Sequence, residues 1–190
     1  MMPHAIQIPT PIEMKKLTRV MKIRGTDVFV HWSVFLIAAI MLAGVLRRPI
    51  VTLVALTAYL GVLLIHESGH LIAAQWKHCN VVSIELYPVF GVTYFQTPRS
   101  RFDHCVIAWG GVIAQTLVAL PVLIWIATLG YTRFEPVNAV LALLGPFSLG
   151  VAVVNLLPVG CLDGAVAWGI IPELVRRVSG RNQGGPRSWK

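Results

Sequence analysis

Four long apolar runs organise this chain. They cover about residues 28–46, 50–76, 105–129 and 137–159. Arg47-Arg48-Pro49 ends the first, Gly130 ends the third, and Pro158-Val159-Gly160 breaks the fourth. Each run reaches the roughly 20 residues that a helix needs to cross about 30 Å of hydrocarbon. The pattern therefore predicts four spanning helices. An apolar tail from Ala165, AVAWGIIPELV, is too short and too interrupted by Pro172 to predict a fifth.

One stretch departs from this pattern. Residues 81–95, VVSIELYPVFGVTYF, are rich in β-branched and aromatic side chains and are split by Pro88 and Gly91. That composition predicts a β-hairpin. It is more apolar than a solvated loop, and non-helical backbone at membrane depth must be buried in protein or line a wet cavity. The expectation is a hairpin dipping into the cytosolic half of the membrane, with a plain surface loop as the alternative. The fold class expected is an all-α polytopic membrane protein: about four transmembrane helices, with a membrane-associated β-hairpin between the second and third. Three parts follow along the chain: a basic cytosolic or interfacial arm at 1–27, an intramembrane domain at 28–175 and a basic cytosolic tail at 176–190.

Composition supports the same picture. Of 190 residues, 56% are hydrophobic and 13% are charged, and the mean hydropathy is +0.71. A soluble domain is about one-quarter charged, so lipid rather than water is the expected solvent. The net charge of +8 raises nucleic acid as a partner. The Lys and Arg residues, however, sit at the edges of apolar runs, where they anchor and orient helices. No aromatic and basic interleaving suited to a nucleic-acid strand is present, so no nucleic acid is expected.

With the N-terminus in the cytosol, five Lys and Arg precede the first run, three lie between the second and third, and five follow the fourth. Only Arg47, Arg48 and Arg133 then fall outside. The positive-inside rule thus predicts a multi-pass protein of a plasma or inner membrane with both termini cytosolic. The first run is too long for a cleavable signal peptide and lacks a small-x-small cleavage site. Cys79, Cys105 and Cys161 show no C-x-x-C spacing and are expected to be free thiols.

The second run contains LLIHESGHLIA at residues 63–73, an H-E-x-x-H pattern made by His66, Glu67 and His70. On a helix, His66 and His70 lie one turn apart on one face and can bind one Zn²⁺. Glu67 adjoins the first ligand and can take a proton from a water that the ion activates. Ionisable groups at membrane depth are expensive and point to function by default. Catalytic zinc usually has three protein ligands and an open position. His31 and His104 lie near helix ends. Asp163, in NLLPVGCLDGAV at residues 155–166, follows an interrupted helix whose unwound backbone can aim a carboxylate at the ion. Cys161 is a rival ligand.

H-E-x-x-H in one span, followed by N-x-x-P-x-x-x-L-D-G in a later one (Asn155, Pro158, Leu162, Asp163, Gly164), resembles the site-2 protease family of intramembrane zinc metalloproteases. Weaker echoes are VHWS at 30–33, YPVFGV at 87–92 and WGGVIAQ at 109–115. The resemblance covers about residues 22–170. It implies that His66, His70 and Asp163 bind zinc, that Glu67 is the catalytic base and that Asn155 acts near the reaction centre. It also implies that the hairpin, through Val89, Phe90, Gly91 and Val92, pairs with an unwound substrate strand. The substrates implied are single-span membrane proteins or leftover signal peptides.

The small-residue motif departs from the family pattern. It reads Gly110-Gly111, and Ala114 or Gln115 stands where the family's usual Asn is expected. Helix packing through small residues explains that glycine pair. Other readings are a metal-binding membrane protein without proteolysis, a small metal transporter, and a prenyl-protein type of zinc protease. The last would need a downstream Glu ligand, and Glu85, Glu135 and Glu173 all lie outside the predicted spans.

Overall fold

The computed structural model describes residues 17–88, 91–160 and 162–179. Its N-terminal part departs from the apolar pattern. Strand β1 (Leu17–Ile23) pairs antiparallel with β2 (Thr26–His31). The turn between them is Arg24-Gly25, with φ of 49° and 90°, the left-handed conformation of tight two-residue hairpin turns. Along β2, Thr26, Val28 and Val30 are buried while their neighbours are half-exposed, which is the period of two that marks a strand. Helix α1 (Trp32–Leu42) starts only after this strand and ends in a 3₁₀ turn, Ala43–Leu46.

One expectation is corrected here. The first apolar run is a strand followed by a short helix rather than one continuous helix, and residues 17–27 of the basic arm form strand and turn. Val28, Phe29 and Val30 suit a pleated surface, and the neighbouring strand supplies the hydrogen bonds that make extended backbone the better state.

The hairpin expected at 81–95 is present. Strand β3 (Val81–Leu86) pairs antiparallel with β4 (Gly91–Phe95). β3 also pairs in parallel with β2, completing a four-stranded mixed sheet in the order β1-β2-β3-β4. The all-α expectation is thereby corrected to a mostly helical protein with a small mixed sheet. A parallel pair needs a long crossover, and α1 with α2 (Pro49–Trp76) provides it.

Among the described residues, three helices are long and apolar enough to cross a membrane: α2, α3 (Arg101–Leu129) and α4 (Glu135–Asn155). Within α4 the backbone opens into a π turn, Leu143–Phe147, which accommodates the missing N–H of Pro146. After Asn155 the helix stops, and two short helices follow, α5 (Gly164–Ala167) and α6 (Ile170–Val178).

Small residues and end contacts fix the bundle. A Cβ on Gly69 would strike the Gly110 backbone, and one on Gly110 would strike Gly69, so α2 and α3 approach closely only because both are glycine. Lys77 Nζ lies 3.0 Å from Asp103 Oδ1 and joins the end of α2 to the start of α3. One face of the sheet packs Val28, Val30, Ile84 and Leu86 with Val34 of α1 and with Leu63 and Leu71 of α2. The sheet therefore runs along the second half of α2. Arg24 meets Gln75 at 2.8 Å near one end, and the Tyr59 hydroxyl donates to the Pro88 carbonyl at the other.

Candidate metal centre

His66 and His70 are buried on the face of α2 that meets α3. His66 Nδ1 lies 3.0 Å from Gln115 Oε1, and His70 Nδ1 lies 2.8 Å from the Ile107 carbonyl. Both neighbours are oxygen acceptors, so both Nδ1 atoms carry the proton. In the neutral rings each Nε2 then presents a lone pair. Those two nitrogens are 3.1 Å apart, and Asp163 Oδ2 lies 2.9 Å from one and 3.3 Å from the other. Three electron-pair donors thus converge on one point, an arrangement that repels itself unless a metal ion or a shared proton sits between them.

The distances fit a metal ion. Ligands held tetrahedrally at 2.0–2.1 Å lie about 3.3 Å from one another. The nitrogen and carboxylate set suits zinc. Gly111 clears the space: a Cβ there would lie 2.6 Å from His70 Nε2 and 2.8 Å from His66 Nε2. Its neighbour Gly110 serves helix packing, as the sequence led one to expect, but Gly111 borders the histidine rings.

Asp163 arrives from the broken segment after α4. Leu156 and Leu157 carbonyls crowd Gly164 so closely that a Cβ there would overlap them. Trp168 Nε1 donates to Leu156 O at 2.7 Å and Trp109 Nε1 donates to Ala167 O at 3.0 Å. The Asp163 turn is therefore clamped to both α3 and the end of α4.

Glu67 is almost fully buried and faces β4. Thr93 Oγ1 donates to Glu67 Oε2 at 2.7 Å. A Cβ on Gly91 would overlap the Glu67 carboxylate, so glycine at that position leaves room for it. A cavity of about 200 Å³ adjoins the centre. Glu67, His70 and Asp163 line it, with Gly91, Val92, Thr93 and Phe95 on the β4 side and His104, Ile107 and Ala108 on the α3 side. The Phe95 and His104 rings meet edge to face, 6.0 Å between centroids.

The structure brings together His66, His70, Glu67 and Asp163, with Gly91 and Val92 beside them. Asn155 is buried, and its Nδ2 donates to the Val151 carbonyl, one turn back in its own helix. Val89, Phe90 and Cys161 lie outside the described residues. Cys79 and Cys105 are free and buried. Gln115, Gly111 and Thr93 were not singled out by the sequence reasoning as contacts of the site. Gln115 carried a usable signal, since a lone amide inside an apolar run needs a polar partner.

Fold and site together define a mostly helical membrane protein with a buried two-histidine, one-aspartate cluster beside a glutamate. The solved structure of the site-2 protease from Methanocaldococcus jannaschii has this fold. The likeness has a TM-score of 0.64, covers 88% of this chain and 74% of that one, and comes with 19% sequence identity. Neither a protein-family model nor a curated protein matches the sequence.

Proposed function

We propose that this protein is an intramembrane zinc metalloprotease that hydrolyses peptide bonds within or near the transmembrane segments of membrane-anchored proteins. The observation that carries this reading is the convergence of His66 Nε2, His70 Nε2 and Asp163 Oδ2 within 3.3 Å of one another, next to a cavity that Glu67 also lines. His66, His70 and Asp163 would hold zinc, which supplies Lewis acidity to a water and to a peptide carbonyl. Glu67 takes the proton of the attacking water and passes it to the leaving amine. Thr93 fixes one carboxylate oxygen and leaves the other free to act. Gln115 and the Ile107 carbonyl hold both histidines in the ligating tautomer. β4 is an edge strand of the sheet among the described residues and lines the cavity, which supports pairing of an unwound substrate strand along Gly91 and Val92.

The β2–β3 pairing supports a chain that leaves and returns on one side of the bilayer, with α1 going out and α2 coming back. Glu67 lies ten residues before Lys77, about 15 Å along the helix, and β4 touches it. The sheet thus extends well below the boundary marked by Trp76 and Lys77, which supports a hairpin dipping into the membrane. A short α1 fits this arrangement, with β2 covering the cytosolic part of the first crossing. Four crossings with cytosolic termini would put most of the Lys and Arg on the cytosolic side.

The test is cleavage of single-span membrane proteins and signal peptides by the purified protein in liposomes, beside Glu67→Gln, with zinc measured in both. Cleavage by the parent alone, with zinc retained in both, is the expected result. Cutting by the variant at the parental rate would remove Glu67 from the mechanism.

A further inference from the structure

Helix α6 is amphipathic, but its faces are reversed relative to a helix packed on a protein core. Ile171, Leu174, Val175 and Val178 fall within one arc, and Glu173, Arg176 and Arg177 fall on the opposite one. The apolar arc points away from the protein: Val175 is 58% exposed and Val178 86%. The charged arc turns partly inward. The Glu173 side chain is only 19% exposed, and the Arg177 guanidinium lies 3.8 Å from the centre of the Phe102 ring. In water this arrangement exposes the wrong face. Next to lipid it is the favourable one.

The level of the helix is also fixed. Phe102 is the second residue of α3, beside the Lys77–Asp103 pair that marks one end of the bundle. Ala167, just before α6, is bonded to Trp109. Trp109 lies seven residues further along α3, about 10 Å deeper. α6 therefore climbs obliquely through the last 10 Å or so before the boundary, the layer where headgroups meet acyl chains. Arg176 is exposed at that level with one guanidinium nitrogen 3.3 Å from Glu173 Oε1, which leaves its other N–H groups toward the surroundings, and Arg99 and Arg101 stand at the start of α3.

We infer that α6 is a lipid-seated interfacial helix, with Leu174, Val175 and Val178 resting on acyl chains and Arg176 reaching the phosphates of anionic headgroups. It rests on the chain being a membrane protein and not on its being a protease. The helix begins seven residues after Asp163, so its seat also steadies the segment that carries the third ligand.

The test places a spin label at Val175→Cys, Val178→Cys or Arg176→Cys in the full chain, in phosphatidylcholine vesicles with or without phosphatidylglycerol. Labelled parent protein serves as the background for the native cysteines, and zinc content equal to the parent's checks the fold. We expect labels at 175 and 178 to be accessible to oxygen and shielded from a water-soluble nickel chelate, with 176 showing the reverse. The label at 178 should sit deeper when phosphatidylglycerol is present. Nickel access at 175 and 178 would place the face in water. Shielding from both reagents would place it against a protein, such as a second copy of this chain. Either result overturns the lipid seat. A depth indifferent to headgroup charge would overturn the phosphate contact.

Discussion

At the scale of single residues, the site depends on atoms that are absent as much as on those present. Gly111 and Gly91 each occupy a position where one methyl group would displace a working side chain, the histidines in the first case and Glu67 in the second. These two substitutions should separate metal binding from catalysis. Gly111→Val should abolish zinc binding, read by metal content after purification. Gly91→Ala should keep the zinc while cleavage falls at least tenfold, because the carboxylate is pushed from its place. Gln115 acts one step further out. It is fully buried and its Nε2 has no hydrogen-bond partner among the described residues, a cost that its bond to His66 helps offset. Gln115→Leu should weaken zinc binding about 10- to 100-fold, the usual penalty for losing such a support, measured by competition with a chelator. Gln115→Leu with parental zinc affinity would show that His66 does not need this partner.

At the scale of elements, glycines that look alike in the sequence do different work. Gly69 holds α2 against α3, while a Cβ at Gly61 would meet nothing within 4 Å. Gly69→Val should therefore separate the two helices, lower the unfolding temperature in detergent and cost zinc as well, since His70 is the next residue. Gly61→Ala should be neutral or stabilise by up to about 1 kcal/mol through helix propensity. Equal melting shifts for the two variants would contradict the packing described. The hairpin at 81–95 was legible because Pro88 and Gly91 punctuate a β-branched run. Its partner at 17–31 was not, because Val28 to Val30 continue without a break into the apolar residues of α1. Local hydropathy cannot tell a strand buried against a helix from the first turn of a spanning helix.

At the scale of the whole molecule, the parallel β2–β3 pair makes a topological demand. The two strands lie side by side, so the crossover through α1 and α2 must return to the side it left. With two further crossings by α3 and α4, the N- and C-terminal segments should lie on the same face. Tags at the two ends should be cut together by protease added to one side of sealed vesicles, and both should be protected on the other. Tags on opposite faces would mean that α1 does not complete a crossing with β2.

What the sequence by itself determined is which residues could carry the chemistry, and the solvent. H-E-x-x-H sets its two histidines on one helix face through the helical repeat alone, and the long apolar runs demand lipid whatever they pack against. Asp163 could be nominated as a third candidate ligand because an unwound acidic turn is rare near a membrane span. What only the tertiary structure decided is everything that depends on contact between segments distant in the chain. The strand state of residues 17–31 depends on β3. The tautomers of His66 and His70 depend on α3, and the position of Glu67 depends on β4. Hydrogen bonds and steric exclusions between distant segments leave no periodic trace in a sequence, so the site could be named from the chain but its geometry could not.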